Sequence, residues 1–111
     1  MINVIKAKVG EEELLAQLAE EAIELAHAAL KLRRVISGKN PTPVKYDDAL
    51  ENFLEEVADV DLVLAVLDIG EDTEEILARM RVKLARWEAR LCATTSDIWE
   101  EKTESGLLEE D

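Results

Sequence analysis

Two long stretches of this chain repeat apolar residues at spacings of three and four, and the only two prolines of the sequence lie between them. Such spacing places the apolar side chains on one face of an α-helix. Pro41 and Pro43 prevent a helix from continuing through their segment, because proline lacks the backbone N–H that an inner turn needs. We therefore predict two amphipathic helices, over about residues 11–35 and 47–69, joined by a loop.

A third helix is predicted over about residues 73–92, because Asp72 or Thr73 can cap the free N–H groups of its first turn. Residues 96–111 are predicted as a C-terminal tail with one short amphipathic turn at 97–102. Many leucine, alanine and glutamate residues and few aromatic ones favour helix over sheet. The 111 residues are thus expected to form a single all-α domain, which at this size gains stability from oligomerisation.

Acidic residues outnumber basic ones by 26 to 13, which gives a formal net charge of −13. Such a charge repels a duplex nucleic acid or an anionic membrane surface. The sequence contains no run of 18 apolar residues, and its first residues lack the layout of a signal peptide. The single cysteine, Cys92, excludes an internal disulfide. We expect a soluble cytoplasmic protein without a nucleic-acid or membrane partner.

The end of the second predicted helix is apolar on nearly every side. Apart from Asp61, residues 60–67 are all valine, leucine or alanine. A helix of this kind is usually surrounded by other helices. We therefore expect at least a homodimer, with Val63 or Val66 near the subunit interface, and a tetramer is a further option.

Each of the two long helices carries a pair of acidic residues three positions apart. Glu21 and Glu24 share one face of the first helix, and Glu56 and Asp59 share one face of the second. A single pair of this kind is more often a solvated face of an acidic helix. If the helices pack antiparallel, however, both pairs converge and repel each other unless divalent cations lie between them. Hard oxygen ligands of this type suit Mg²⁺ or Mn²⁺.

The arrangement Glu-Glu-x-x-Glu in one helix and Glu-x-x-Asp in the next resembles the MazG-like all-α nucleoside triphosphate pyrophosphohydrolases. Residues 14–34 and 50–67 carry the resemblance. It implies a MazG-like helical bundle completed by oligomerisation, with Mg²⁺ held by both acidic pairs. It also implies hydrolysis of a (deoxy)nucleoside triphosphate to the monophosphate and pyrophosphate, an activity that cleans the nucleotide pool.

Two further expectations concern the catalytic and substrate-binding residues. Within this activity, Glu21 is expected to orient or deprotonate the attacking water. On the third helix, Lys83, Arg86 and Arg90 lie at spacings of three and four and form a cationic stripe that could hold the phosphates. Ion pairing with the acidic helices is an equally good explanation of this stripe.

Two other classes of function remain open at this point. Glu24 and His27 form a Glu-x-x-His, the pairing that di-iron carboxylate bundles use, and a homodimer would supply it twice together with Glu56 from each chain. A lone histidine on a helix is more often a surface residue. The chain could also be a non-catalytic helical assembly module, in which case its carboxylates would be dispensable for function.

Overall fold

The computed structural model of the chain describes residues 1–39, 43–70 and 73–93, and the regular secondary structure in these residues is all helical. The helices are α1 (Ile2–Val9), α2 (Glu11–Ser37), α3 (Tyr46–Val66) and α4 (Glu74–Cys92). The all-α prediction is therefore confirmed. The chain divides into two compact units, Met1–Gly70 with α1 to α3, and Glu71–Asp111 with α4.

Helix α2 begins at the predicted residue and ends two residues after the predicted end. It follows Gly10, and three glutamates occupy its first turn, where negative charge is favourable beside the positive end of the helix dipole. It ends at Gly38, whose left-handed φ of 66° is a conformation that glycine adopts without strain. The Gly38 N–H donates to the Arg34 carbonyl oxygen at 2.9 Å and satisfies one of the last free carbonyls.

Helix α3 differs from the prediction at both ends. Lys45 is its N-cap, so the helix begins at Tyr46, one residue before the predicted start, and Asp47 lies inside the first turn. The helix ends at Val66 rather than at residue 69, because Asp68 adopts a left-handed φ of 60° and turns the chain away. Aspartate is one of the few residues apart from glycine that tolerate this conformation.

Helices α2 and α3 pack together and form the core of the first unit. Leu14, in the first turn of α2, is buried against Val63, Val66 and Leu67 at the end of α3. Since the start of one helix contacts the end of the other, the two helices are antiparallel, as the sequence predicts. Because Val63 and Val66 are 8% and 2% exposed within a single chain, neither is available to a second copy. The large apolar residue that α3 exposes nearby is Leu62.

The N-terminal helix α1 is absent from the sequence prediction. It packs against both α2 and α3, and Lys6 Nζ lies 2.9 Å from Asp68 Oδ2, directly after α3. Ile2, Ile5 and Val9 repeat at the spacing of an amphipathic helix, but eight residues are too few for a helix to be stable without tertiary packing. The signal is therefore present in the sequence and too short to be decisive.

The second unit contains helix α4, and the predicted cap is confirmed. Thr73 Oγ1 accepts a hydrogen bond from the Ile76 N–H at 3.4 Å. None of the residues of α4 is buried. The predicted turn at 97–102 and tail at 96–111 lie outside the described residues. Among the helices that are described, none combines the length and apolar character needed to cross a membrane.

Candidate metal centre

Helical periodicity places two carboxylates in the apolar interface between α2 and α3. Along α2 the side chains at least partly removed from solvent recur every three or four residues, and α3 has the same pattern. Glu21 occupies one such position between Leu18 and Leu25, and Glu56 occupies another between Phe53 and Val60. The regular alternation that forms the core therefore also turns these two acidic side chains inward.

The structure brings three of the four predicted metal ligands together. One carboxylate oxygen from each of Glu21, Glu56 and Asp59 lies within 4.8 Å of the other two. We call these residues the carboxylate triad. Glu21 and Glu56 are half-buried, whereas Asp59 is exposed at the edge of the interface. The antiparallel packing of α2 on α3 thus produces the convergence that the sequence predicts, for three residues.

Glu24, the fourth predicted ligand, lies beside Glu56 but outside this group of three. It is exposed, it is close enough to Glu56 for a hydrogen bond between the two carboxyls, and both residues line an open groove of about 460 Å³. His27 lines the same groove. In the described part of the chain, His27 is not among the side chains that meet within 4.8 Å.

Two oxygens of the triad are buried without a partner. Glu21 Oε2 and Glu56 Oε2 find no hydrogen-bond donor among the residues that the structure describes. The other oxygen of Glu21, Oε1, accepts a hydrogen bond from Gln17 Nε2 at 3.2 Å. A carboxylate oxygen removed from water without a partner destabilises the folded chain. A bound cation is the most direct way to satisfy two such oxygens at once.

The electrostatics of the triad favour protonation in the absence of a cation. Burial raises the pKa of Glu21, and the charges of Asp59 and Glu24 raise it further, against a smaller opposing effect of the Gln17 hydrogen bond. Burial likewise raises the pKa of Glu56, with added repulsion from Glu24, Asp59 and Glu21. Loss of hydration and like charges both disfavour the ionised form. A divalent cation would reverse this balance.

The donor set fits a hard divalent cation. The three carboxylates supply only oxygen ligands, and Mg²⁺ is commonly held by one or two protein carboxylates while water and phosphate complete its octahedron. Asp59 is exposed and the groove beside Glu56 is open. Water and further oxygen ligands therefore have access to the three carboxylates.

The predicted cationic stripe lies on α4, in the second unit. Lys83 and Arg86 line a groove of about 350 Å³ together with Arg79, while Arg90 lies in the last turn of the helix. Arg79 pairs with Glu75 at 3.1 Å along the same helix. The role of Lys83, Arg86 and Arg90 in phosphate binding stays a prediction.

Comparisons of this chain with models of known protein families, with curated proteins and with solved structures find no significant match. Its function is therefore inferred from the triad and its surroundings.

Proposed function

We propose that this chain is a Mg²⁺-dependent nucleoside triphosphate pyrophosphohydrolase, which converts a (deoxy)nucleoside triphosphate to the monophosphate and pyrophosphate. The observation that carries the proposal is the pair of buried, unpartnered oxygens of Glu21 and Glu56 inside a group of three converging carboxylates. A solvated acidic face, the common alternative for such sequences, would leave these oxygens in water. The resemblance of both helices to the MazG-like enzymes supports the same activity.

In this proposal Glu21, Glu56 and Asp59 bind the metal directly. Glu24 contributes through its contact with Glu56. Mn²⁺ can take the place of Mg²⁺ at this site, because it prefers the same oxygen ligands. When bound, the ion neutralises phosphate charge and lowers the pKa of a coordinated water. These carboxylates would hold the ion at the interface between α2 and α3, where the exposed side of Asp59 leaves room for water and substrate oxygens.

In this proposal Glu21 also activates the water. The hydrogen bond that its Oε1 accepts from Gln17 Nε2 orients the carboxylate that would take the proton. The water oxygen forms a bond to the α-phosphorus, and the bond from that phosphorus to the bridging oxygen breaks. Pyrophosphate leaves with the electron pair, and the water proton passes to Glu21 and then to solvent.

The experiment that tests this function is a product assay. Canonical and modified (d)NTPs are incubated with the protein and Mg²⁺, and pyrophosphate is measured separately from orthophosphate. We expect pyrophosphate as the primary product, and a loss of about a hundredfold or more in kcat for Glu56→Gln. Glu55→Gln is the matched control, because Glu55 is adjacent and exposed and should keep wild-type activity. Orthophosphate as the first product would refute the assigned reaction.

One observation favours a second candidate, a di-iron protein. His27 lines the same groove as Glu24 and Glu56. Histidine and glutamate are the residue types that bind iron in a di-iron bundle. Iron content and oxygen-dependent colour of the purified protein distinguish the two candidates. The proposed pyrophosphohydrolase requires neither bound iron nor an oxygen-dependent colour.

We also propose that the chain acts as a homodimer or tetramer. Ile23 on α2 and Leu54 and Leu62 on α3 are each more than half exposed. Large apolar side chains of this kind commonly mark surfaces that associate. A second copy of the chain would cover them.

A further inference from the structure

A second groove lies on the α1 side of the carboxylate triad. It has a volume of about 320 Å³ and is lined by residues of α1, α2 and α3. We call it the α1 groove. Glu21 and Asp59, two members of the triad, lie on its wall, and so do Ile5 and Val9 of α1. The groove therefore connects the proposed metal centre to the N-terminal helix.

The lining of this groove is mostly apolar. Apart from Gln17 and the two carboxylates, all the described residues that line it are leucine, isoleucine or valine. No cation is among these lining residues, so a phosphate inside the groove would meet only negative charge. The phosphates of a substrate must therefore lie on the metal side, and the uncharged part of the same molecule is the part that the groove accommodates.

We propose that the α1 groove binds the nucleoside part of the substrate and that Ile5 and Val9 determine which nucleosides fit. This inference rests on the proposed function, and it assigns a role to α1 that the triad does not require. A volume of about 320 Å³ lies at the small end of the range for ligand pockets, which suits one base with its sugar. Apolar side chains bury the faces of a base, and one polar group is enough to orient it.

Gln17 supplies that polar group at the end of the groove near the metal. Its amide nitrogen donates to Glu21 Oε1 at 3.2 Å. An amide carries a second N–H and a carbonyl oxygen, and these can bond to the polar edge of the sugar or base. Gln17 thus connects the orientation of the nucleoside to the orientation of Glu21.

In the folded chain α1 packs on both α2 and α3, and Lys6 Nζ lies 2.9 Å from Asp68 Oδ2. The helix is therefore a defined wall of the groove. A change in the size of an α1 side chain in the groove should consequently alter the affinity for the nucleoside and leave the metal centre intact.

The test compares two tryptophan substitutions on α1. Ile5→Trp fills the groove, whereas Val4→Trp, one position away on a side chain 57% exposed and outside the groove lining, is the matched control. Dissociation constants are measured by calorimetry for a nucleoside triphosphate, for inorganic triphosphate and for Mn²⁺. We expect Ile5→Trp to weaken nucleoside triphosphate binding about tenfold or more, with inorganic triphosphate and Mn²⁺ bound as tightly as by the wild type. Val4→Trp should match the wild type for all three ligands.

Equal affinity of Ile5→Trp and Val4→Trp for the nucleoside triphosphate overturns the inference, as does equal weakening of inorganic triphosphate or Mn²⁺ binding. These outcomes leave the proposed function intact, because pyrophosphate release by the wild type is measured separately. Failure of the proposed function is instead seen as absence of pyrophosphate release, whatever the ratio of the dissociation constants.

Discussion

Glu21 and Glu56 lie in the α2/α3 interface between apolar side chains of the same helix face. Their neighbours in the same rows are Leu18, Leu25, Phe53 and Val60. An uncharged side chain of similar shape would stabilise the metal-free fold, because the carboxylates repel each other and lose hydration there. The presence of two half-buried acids in this interface supports the proposed function, which depends on their charge.

The raised pKa of Glu56 leads to a prediction about stability and pH. The folded chain binds the proton of Glu56 more tightly than the unfolded chain does. The ionised form therefore destabilises the fold above the raised pKa, and this effect disappears as the pH falls toward 4.5, the ordinary value. Without metal, we expect Glu56→Gln to melt above the wild type at neutral pH by a few degrees, on the order seen for single-site changes. The difference should narrow on acidification.

Thermal melts in a chelating buffer at several pH values measure this difference. Glu55→Gln is again the control and should follow the wild type at every pH, since it changes the net charge equally outside the triad. Addition of Mg²⁺ should raise the melting temperature of the wild type and have little effect on Glu56→Gln. A wild type that melts higher than Glu56→Gln in the chelating buffer would contradict the account of repulsion in the triad.

At the scale of elements, α1 is attached to the rest of its unit through a small contact. The side chains of the Lys6–Asp68 pair are 39% and 73% exposed, and an exposed pair of this kind contributes about 0.2 to 1 kcal/mol. None of the residues of α1 is fully buried. The helix should therefore open locally far more often than α2 and α3 unfold.

Asp68→Asn tests this expectation, because asparagine tolerates the left-handed backbone at this position and removes only the charge. We expect amide hydrogen exchange in residues 2–9 to become several times faster, while the melting temperature falls by a few degrees at most. Glu75→Gln, which removes the exposed pair with Arg79 on α4, is the control and should leave exchange in α1 unchanged. Unaltered exchange in Asp68→Asn would show that apolar packing alone holds α1.

The sequence predicts those elements whose ends are determined by local chemistry. Gly38 and Thr73 end and begin helices through their own backbone and side-chain preferences, and both positions were predictable. The end of α3 was not, because the left-handed turn at Asp68 occurs next to a tertiary contact with Lys6. Helix α1 was missed for a similar reason, since a helix of eight residues depends on packing that no local pattern reveals.

The candidate site, like the fold, was only partly predictable from the sequence. A spacing of three positions predicted that each acidic pair shares one helix face, and three of the four carboxylates converge in the structure. It did not show that Glu21 and Glu56 are turned inward while Glu24 and Asp59 are exposed, because that depends on the rotation of each helix against its neighbour. The apolar residues three or four positions before and after Glu21 and Glu56 do indicate which acidic side chains face inward. The α1 groove had no such signal, since it depends on α1.

For the whole molecule, the exposed apolar side chains of α2 and α3 lead to a prediction about assembly. We expect light scattering at micromolar concentration to give the mass of two or four chains. Leu54→Asp places a charge on a side chain that is 51% exposed and should shift the mass toward one chain without unfolding it. Val66→Asp is the contrasting variant, because Val66 is 2% exposed in the core and its substitution should unfold the chain. A wild-type mass of one chain would refute the prediction.

The unpartnered oxygens of Glu21 and Glu56 have a consequence for the lifetime of the protein. Unfolding separates the triad, so a divalent ion held by these oxygens is bound by the folded chain and released by the unfolded one. Mass action then makes the population of open, protease-sensitive molecules fall as the free ion concentration rises above the dissociation constant. Metal supply would thus set how fast the protein is degraded as well as how fast it works, and molecules that fail to acquire the ion would be the first to be removed.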